Sequence, residues 1–230
     1  MSEKLLAFQI SGSHFKKWDS DNNAINSSKI DENSIGYIRI TRFSRNTFED
    51  FSKALSEKNV VIENNCSIGS NSIIRNTIIN NNVKILDNCV IGKHGFGFFP
   101  NNSKNLRYPH IGLVIIEDNC EIGCGSTIDR GSMSNTVIGR NTFLDNQIHI
   151  AHNNKIGNNC IIAGQVGMAG SSTLGDNIMI GGQAGISGHL KIGNNVHIGG
   201  GSGVIKDIED NSKVMGYPAK NLREFIKENR

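Results

Sequence analysis

Large aliphatic or Met residues recur at every sixth position through the second half of the chain. They are Ile138, Leu144, Ile150, Ile156, Ile162, Met168, Leu174, Ile180, Ile186, Ile192, Ile198 and Val204. The residue that follows is Gly in six instances and Ala in three. The same phase runs earlier, at Ile62, Ile68, Ile74, Ile79, Ile85 and Ile91, and again at Ile116, Ile122 and Ile128. An amphipathic helix would repeat near 3.6 residues, whereas strand alternation has a period of two, which six contains. The spacing therefore predicts very short strands joined by tight turns. Gly, Asn and Asp sit where such turns demand unusual backbone angles. A period of six is the hexapeptide signature of a parallel β-helix. Three hexapeptides make one triangular coil of 18 residues, with the aliphatic side chains pointing into the prism.

Two stretches break the phase. GKHGFGFFPNNSKNLRYPHIGLVI, at 92–115, reads as a loop thrown out from a coil, and DRGSMSNT, at 129–136, reads as a shorter one. Residues 1–60 lack the repeat and form a small N-terminal segment. Within it IGYIRITRF (35–43) is strand-like, and TFEDFSKALSEKN (47–59) predicts a helix capped by Asn46 or Thr47. Coils are expected over 61–216. Tyr217-Pro218 then ends them, and NLREFIKENR predicts a terminal α-helix within 217–230, with Leu222, Phe225 and Ile226 on one side. The fold class expected is all-β: a parallel β-helix with a small N-terminal α/β segment and a C-terminal α-helix.

Composition narrows the function classes. The 230 residues carry a formal net charge of only +3 with no dense Lys/Arg block, so nucleic-acid binding is not expected. No run approaches the roughly 18 apolar residues of a membrane span, and MSEKLLAFQISGSHF lacks a signal-peptide core and cleavage site. A cytoplasmic protein without a transmembrane segment is expected. The five cysteines are odd in number and contain no CxxC pair, which argues against a disulfide framework or a zinc site. Cys66, Cys89, Cys120 and Cys160 each lie four residues after an inward aliphatic residue. That slot takes small side chains, so packing accounts for them.

Coil arithmetic gives candidate chemistry. His152 lies two residues after inward Ile150; one coil further is Gly170, and two coils further is 188, beside His189. These three should stack near one edge of the prism, with the histidines roughly 10 Å apart across two strand spacings. An accessible imidazole can take a proton from an attacking amine or hydroxyl near neutral pH. A bare glycine N–H one coil above suits the oxyanion of acyl transfer. Flat solenoid faces make shallow sites, so threefold packing is expected: a homotrimer with each site built from two subunits.

The run FLDNQIHIAHNNKIG, followed by AGQVGMAGSSTLGDN and IGGQAGISGHLKIG, resembles the UDP-3-O-(3-hydroxyacyl)glucosamine N-acyltransferases of lipid A (lipopolysaccharide) biosynthesis, which are hexapeptide-repeat acyltransferases. The likeness extends upstream through GFGFFPNNSKNLRYPHIGLVIIEDNCEIGCGSTIDRGS and covers roughly 60–220. It implies a trimeric left-handed β-helix. It implies His152 as the general base that deprotonates the glucosamine 2-amine as it attacks the thioester of a 3-hydroxyacyl-acyl carrier protein. It also implies Gly170 as oxyanion donor, His189 as a substrate contact, and Asp145 and Asn153 as polar site residues, with no metal or bound cofactor. Lys220, Arg223, Lys227 and Arg230 could steer the acidic carrier protein.

The chain departs from that family in three places. The family commonly has Gln where this chain has His149, which could add a polar substrate contact. Only about 60 residues precede the coils, where the family has a larger domain that holds uridine; these become a shortened, reduced substrate-binding region. GGGSG at 199–203 is small-sided beside the expected acyl groove, which points to a long acyl group. Three alternatives stay open: an acetyl-CoA-dependent N-acetyltransferase of a UDP-amino sugar, a β-helical carbonic anhydrase with a three-His metal site, and a non-catalytic paralogue.

Overall fold

The computed structural model describes residues 60–99, 105–107 and 109–228, together with three backbone strand segments, Gln9–Ser11, His14–Lys16 and Gly36–Ile38. The helix expected over 47–59 lies outside the described residues. Within the expected strand 35–43, Gly36–Ile38 pairs in parallel with Cys66–Ile68.

From Val60 onward the chain winds around three parallel sheets. One has seven strands, from Val60–Ile62 to Lys191–Ile192. A second, of ten strands, contains Cys66–Ile68, Phe143–Leu144 and His197–Ile198. The third, again of seven, runs from Ile73–Ile74 to Gly203–Val204. We call this third sheet the groove face. The twelve hexad residues from Ile138 to Val204 are all buried, and with Ile79, Ile85, Ile91, Ile116, Ile122 and Ile128 they fill the prism. Ile62, Ile68 and Ile74, in the first described coil, are only partly buried.

The corners explain the asparagines. Seventeen described non-glycine residues take positive φ, between 47° and 67°, and twelve of these are Asn. Asn tolerates the left-handed region because its short amide finds local hydrogen bonds. Here the amides also pair from coil to coil, as in Asn141 Nδ2 to Asn159 Oδ1 at 2.9 Å. The coil is not a constant 18 residues. Corner hydrogen bonds link residues 17 apart near Asn64, 18 apart near Asn158 and 16 apart near Asn194.

The cysteine slot is structural. Cys66, Cys89, Cys120 and Cys160 are buried, and each thiol donates to a neighbouring coil's carbonyl, as Cys120 Sγ does to Gly139 O at 3.0 Å. Thr142 and Ser172 make the same bond with hydroxyls, to Gly157 O and Ser187 O.

The terminal helix forms within NLREFIKENR as expected, but a short strand that the sequence did not announce precedes it. Gly216, at φ 102°, turns the backbone, and Lys220–Asn221 returns antiparallel along Lys213–Met215. The helix then spans Leu222–Glu228 and buries none of its residues. No described helix is long and apolar enough to cross a membrane.

Candidate active site

Both breaks in the repeat leave the prism at one corner, where the groove face meets the seven-stranded sheet that begins at Val60. The first follows Val90–Lys93 and the second follows Thr127–Asp129. His152 turns the same corner one coil later, after His149–Ile150. The insertions thus raise walls beside a corner that is otherwise shallow.

His152 and Gly170 meet as expected. A Cβ added to Gly170 would lie 2.6 Å from His152 Cε1 and 2.8 Å from Nε2, so only glycine admits the ring there. The longer loop closes the other side. A Cβ on Gly95 would lie 2.9 Å from His152 Cδ2, and the buried ring of His110 stands edge-on to His152 with centroids 5.1 Å apart. His94 continues the cluster, 6.1 Å from His110. Arg107 braces the loop, donating to Gly95 O at 2.6 Å and covering the Phe98 ring at 4.5 Å.

Burial pushes the His152 imidazole below its ordinary value, the Asp129 carboxylate opposes that, and His189 adds to it. His152 is therefore largely neutral at pH 7, the form able to accept a proton.

Gly170 offers a free amide. At the same hexad position on the next edge of the prism, a side chain from the next coil caps the backbone N–H: Asn158 N donates to Asp176 Oδ1 at 2.7 Å, and Asp176 N to Asn194 Oδ1 at 2.9 Å. Above Gly170 the equivalent position is Gly188, which has no side chain to offer. Among the described residues, the Gly170 N–H has no hydrogen-bond partner.

His189 sits one residue beyond the His152–Gly170–Gly188 column, in the column of Asn153 and Ser171. All three have positive φ, 61°, 67° and 63° in chain order, and His189 N donates to Gly170 O at 3.0 Å. A histidine in this conformation is uncommon, and its exposed ring stands at the same corner as His152. His149 lies on the groove face, its Nδ1 2.7 Å from Thr127 Oγ1 and its Nε2 3.9 Å from Asp129 Oδ2. Asn153 is turned to structural work: its Oδ1 accepts from Ser132 N at 2.7 Å and its Nδ2 donates to Ser132 Oγ at 2.8 Å, tethering the shorter insertion. Asp145 stands at the opposite corner of the groove face, accepting from Asn146 N at 2.7 Å and Gly164 N at 3.0 Å. Within one chain it is not brought to His152.

A groove of about 570 Å³ runs up the face from this corner. Its floor is the outward column His149, Gly167, Gly185 and Gly203, paired strand to strand. Phe96 stands at the histidine end and Tyr217 at the other. Of the GGGSG run only Gly203 reaches the groove, and the Tyr217 ring lies over it, 2.1 Å from where a Cβ would be. Gly199–Ser202 turn the far corner instead. Adding 18 repeatedly to 149 would have found this floor; Tyr217 has no such signal. Among the described residues, no three His, Cys, Asp or Glu side chains converge as a metal ligand set.

Comparison with known proteins follows the coils. The UDP-3-O-acylglucosamine N-acyltransferase of Caulobacter vibrioides is 44% identical over 163 residues, which are 71% of this chain and 48% of that protein. The enzyme of the same name from Bradyrhizobium diazoefficiens is 45% identical over 89 residues, 38% of this chain and 25% of that one. Over its coils, the chain is a homologue of the UDP-3-O-acylglucosamine N-acyltransferases. It spans half or less of the length of these relatives. The UDP-N-acetylglucosamine acyltransferase of Campylobacter jejuni superposes with a TM-score of 0.62 at 28% identity, covering 71% of this chain and 63% of that one. The UDP-N-acetylglucosamine O-acyltransferase of Moraxella catarrhalis gives 0.53 at 27% identity, covering 75% and 69%. The prism is thus the left-handed β-helix of the hexapeptide acyltransferases. No family model matches the chain.

Proposed function

We propose that the chain is an N-acyltransferase of lipid A biosynthesis that moves a 3-hydroxyacyl group from acyl carrier protein to the 2-amine of a UDP-3-O-acylglucosamine in the cytoplasm. The observation that carries this reading is the uncapped N–H of Gly170, the residue against which the His152 ring packs, at the mouth of an apolar groove. His152 takes the amine proton as nitrogen attacks the thioester carbon, and the Gly170 amide donates to the oxyanion. Collapse expels the thiolate, which takes the proton from His152. No metal or cofactor enters these steps. His189 and His149, flanking the base, contact substrate. Asp145, aligned with one of the family's polar site residues, completes the set only where a neighbouring subunit closes the groove, while Asn153 acts through Ser132, holding the shorter insertion beside the base.

Threefold assembly is supported by an outward stripe on the ten-stranded sheet. Phe143, Ile161 and Met179 stand in register and are 42%, 51% and 45% exposed, more contiguous apolar surface than a lone prism needs. Steering of an acidic carrier protein falls to Arg223 and Lys227 among the described residues, because Lys220 is paired with Glu228; Arg230 lies outside the described residues.

The acetyl-CoA reading is less well supported, since a groove three coils long exceeds what an acetyl group fills. Mass spectrometry of products from UDP-3-O-acylglucosamine, with a mixed acyl-carrier-protein pool in one arm and acetyl-CoA in the other, tests the choice. We expect an amide of a long 3-hydroxyacyl chain, falling ~10²–10⁴-fold in His152→Ala. Transfer from acetyl-CoA alone, or full turnover in that variant, would reject the proposal.

A further inference from the structure

Among the described residues Asp129 is the one acidic side chain shut away from water. Burying a carboxylate is costly unless it is paired. Lys93 pairs with Oδ1, but Oδ2 is buried with no hydrogen-bond partner among the described residues. That oxygen faces His149 Nε2 at 3.9 Å, and the carboxylate is felt at His152. Nothing in the coil requires an acid here: the residues one coil down and one coil up in the paired strands are Lys93 and Ala151.

Among the described residues, the other titratable and charged groups on the elements packed at this corner are bases. The longer loop brings Lys93, His94, Arg107 and His110. The shorter insertion brings Arg130, whose guanidinium donates to Gly112 O at 2.7 Å and Ile111 O at 3.0 Å. The neighbouring strand and the coils above bring His149 and His189. Lys93, Arg107 and Arg130 put fixed positive charge on these elements, and Asp129 is the carboxylate set among them.

We propose that Asp129 is a positioning residue for the transfer step, the fixed counter-charge that lets His152 hold the amine proton, with His149 as the imidazole that closes on its free oxygen. This rests on the reaction proposed above. During that reaction the nitrogen–carbon bond forms and the proton passes from the amine to His152. The carbon–sulfur bond then breaks, and the departing thiolate receives the proton. The imidazolium exists only between these events, and Asp129 lowers the cost of that interval without touching substrate.

The test pairs two measurements on the full chain. Ring carbons of labelled histidines are titrated by NMR without substrate, and kcat/KM is followed against pH. In Asp129→Asn the loss of a nearby negative charge disfavours the imidazolium. The His152 midpoint should fall, the acid limb of the rate profile should move to lower pH, and the plateau should drop at least ~10-fold as the base weakens. Lys93→Gln removes a positive charge instead and should raise the midpoint; it serves also if Asp129→Asn fails to fold. A His152 midpoint unmoved in the folded variants, or a shift confined to His149, overturns the assignment. The titration needs no turnover, so a wild type that transfers no acyl group would retire the reaction and leave the electrostatic claim to be judged by NMR.

Discussion

The imidazole of His152 occupies the space where a side chain on Gly170 would begin, with Cε1 2.6 Å from the missing Cβ. Gly170→Ala must push the ring away while leaving both corners otherwise intact. Displacements of about 1 Å from a reacting centre cost on the order of 10²-fold. We expect kcat to fall by that order with little change in thermal stability. Gly167, three residues earlier on the groove floor, has no atom within 4 Å of a Cβ. Gly167→Ala should therefore keep catalysis and stability and disturb only the fit of the chain in the groove. Equal losses in the two variants would count against a specific fit between His152 and Gly170.

Burial sets the working pH. His152 is pushed below the ordinary histidine value, and it must be neutral to act as base. The acid limb of kcat/KM should therefore lie below about pH 6.5, the unperturbed imidazole value. The same shift has a stability consequence. Below that pH the unfolded chain binds a proton that folded His152 refuses, so stability falls as pH drops from there toward the folded midpoint. His152→Gln should lack this component of acid destabilisation, which thermal melts between pH 7 and pH 5 would reveal.

Much of this was legible in the sequence because a solenoid keeps its neighbours in arithmetic. Ile150 packs against residues 18 away, so one period gave the core, and the same sum placed His152 under Gly170. The sum fails where the winding changes. The 92–115 insertion carries Lys93 and His110 to the histidine corner by a route that no period describes. Asp129 lies where the second insertion begins, so its burial depends on that loop and not on the hexad. Asp145 resembles a site residue by motif, yet its own turn places it across the face. Tyr217 reaches Gly203 only because the chain doubles back at Gly216.

Five cysteines provide a check on the coil slots. Burial raises the thiols of Cys66, Cys89 and Cys160, and takes Cys120 to about 11. At pH 7 these four should resist thiol reagents in the folded state. Cys124, half-buried, should react first. Because Ser172 and Thr142 already fill equivalent slots, Cys160→Ser should cost less than about 1.5 kcal/mol. Rapid modification of all five native thiols would refute the slot assignment.

Tyr217 sets the far end of the groove. From His149 to Gly203 the floor climbs three strand spacings, about 14 Å, and the ring then covers Gly203. Its side chain is otherwise 84% exposed, so truncation removes no core contact. Tyr217→Ala should leave folding intact, open the groove past Gly203, and shift preference toward longer acyl chains. Competition between carrier-protein thioesters of graded length, read by product mass, measures that shift. The decisive comparison is with Gly185→Val, which should narrow the floor midway and move the preference toward shorter chains. If both variants keep the wild-type length profile, the acyl chain does not lie along this face.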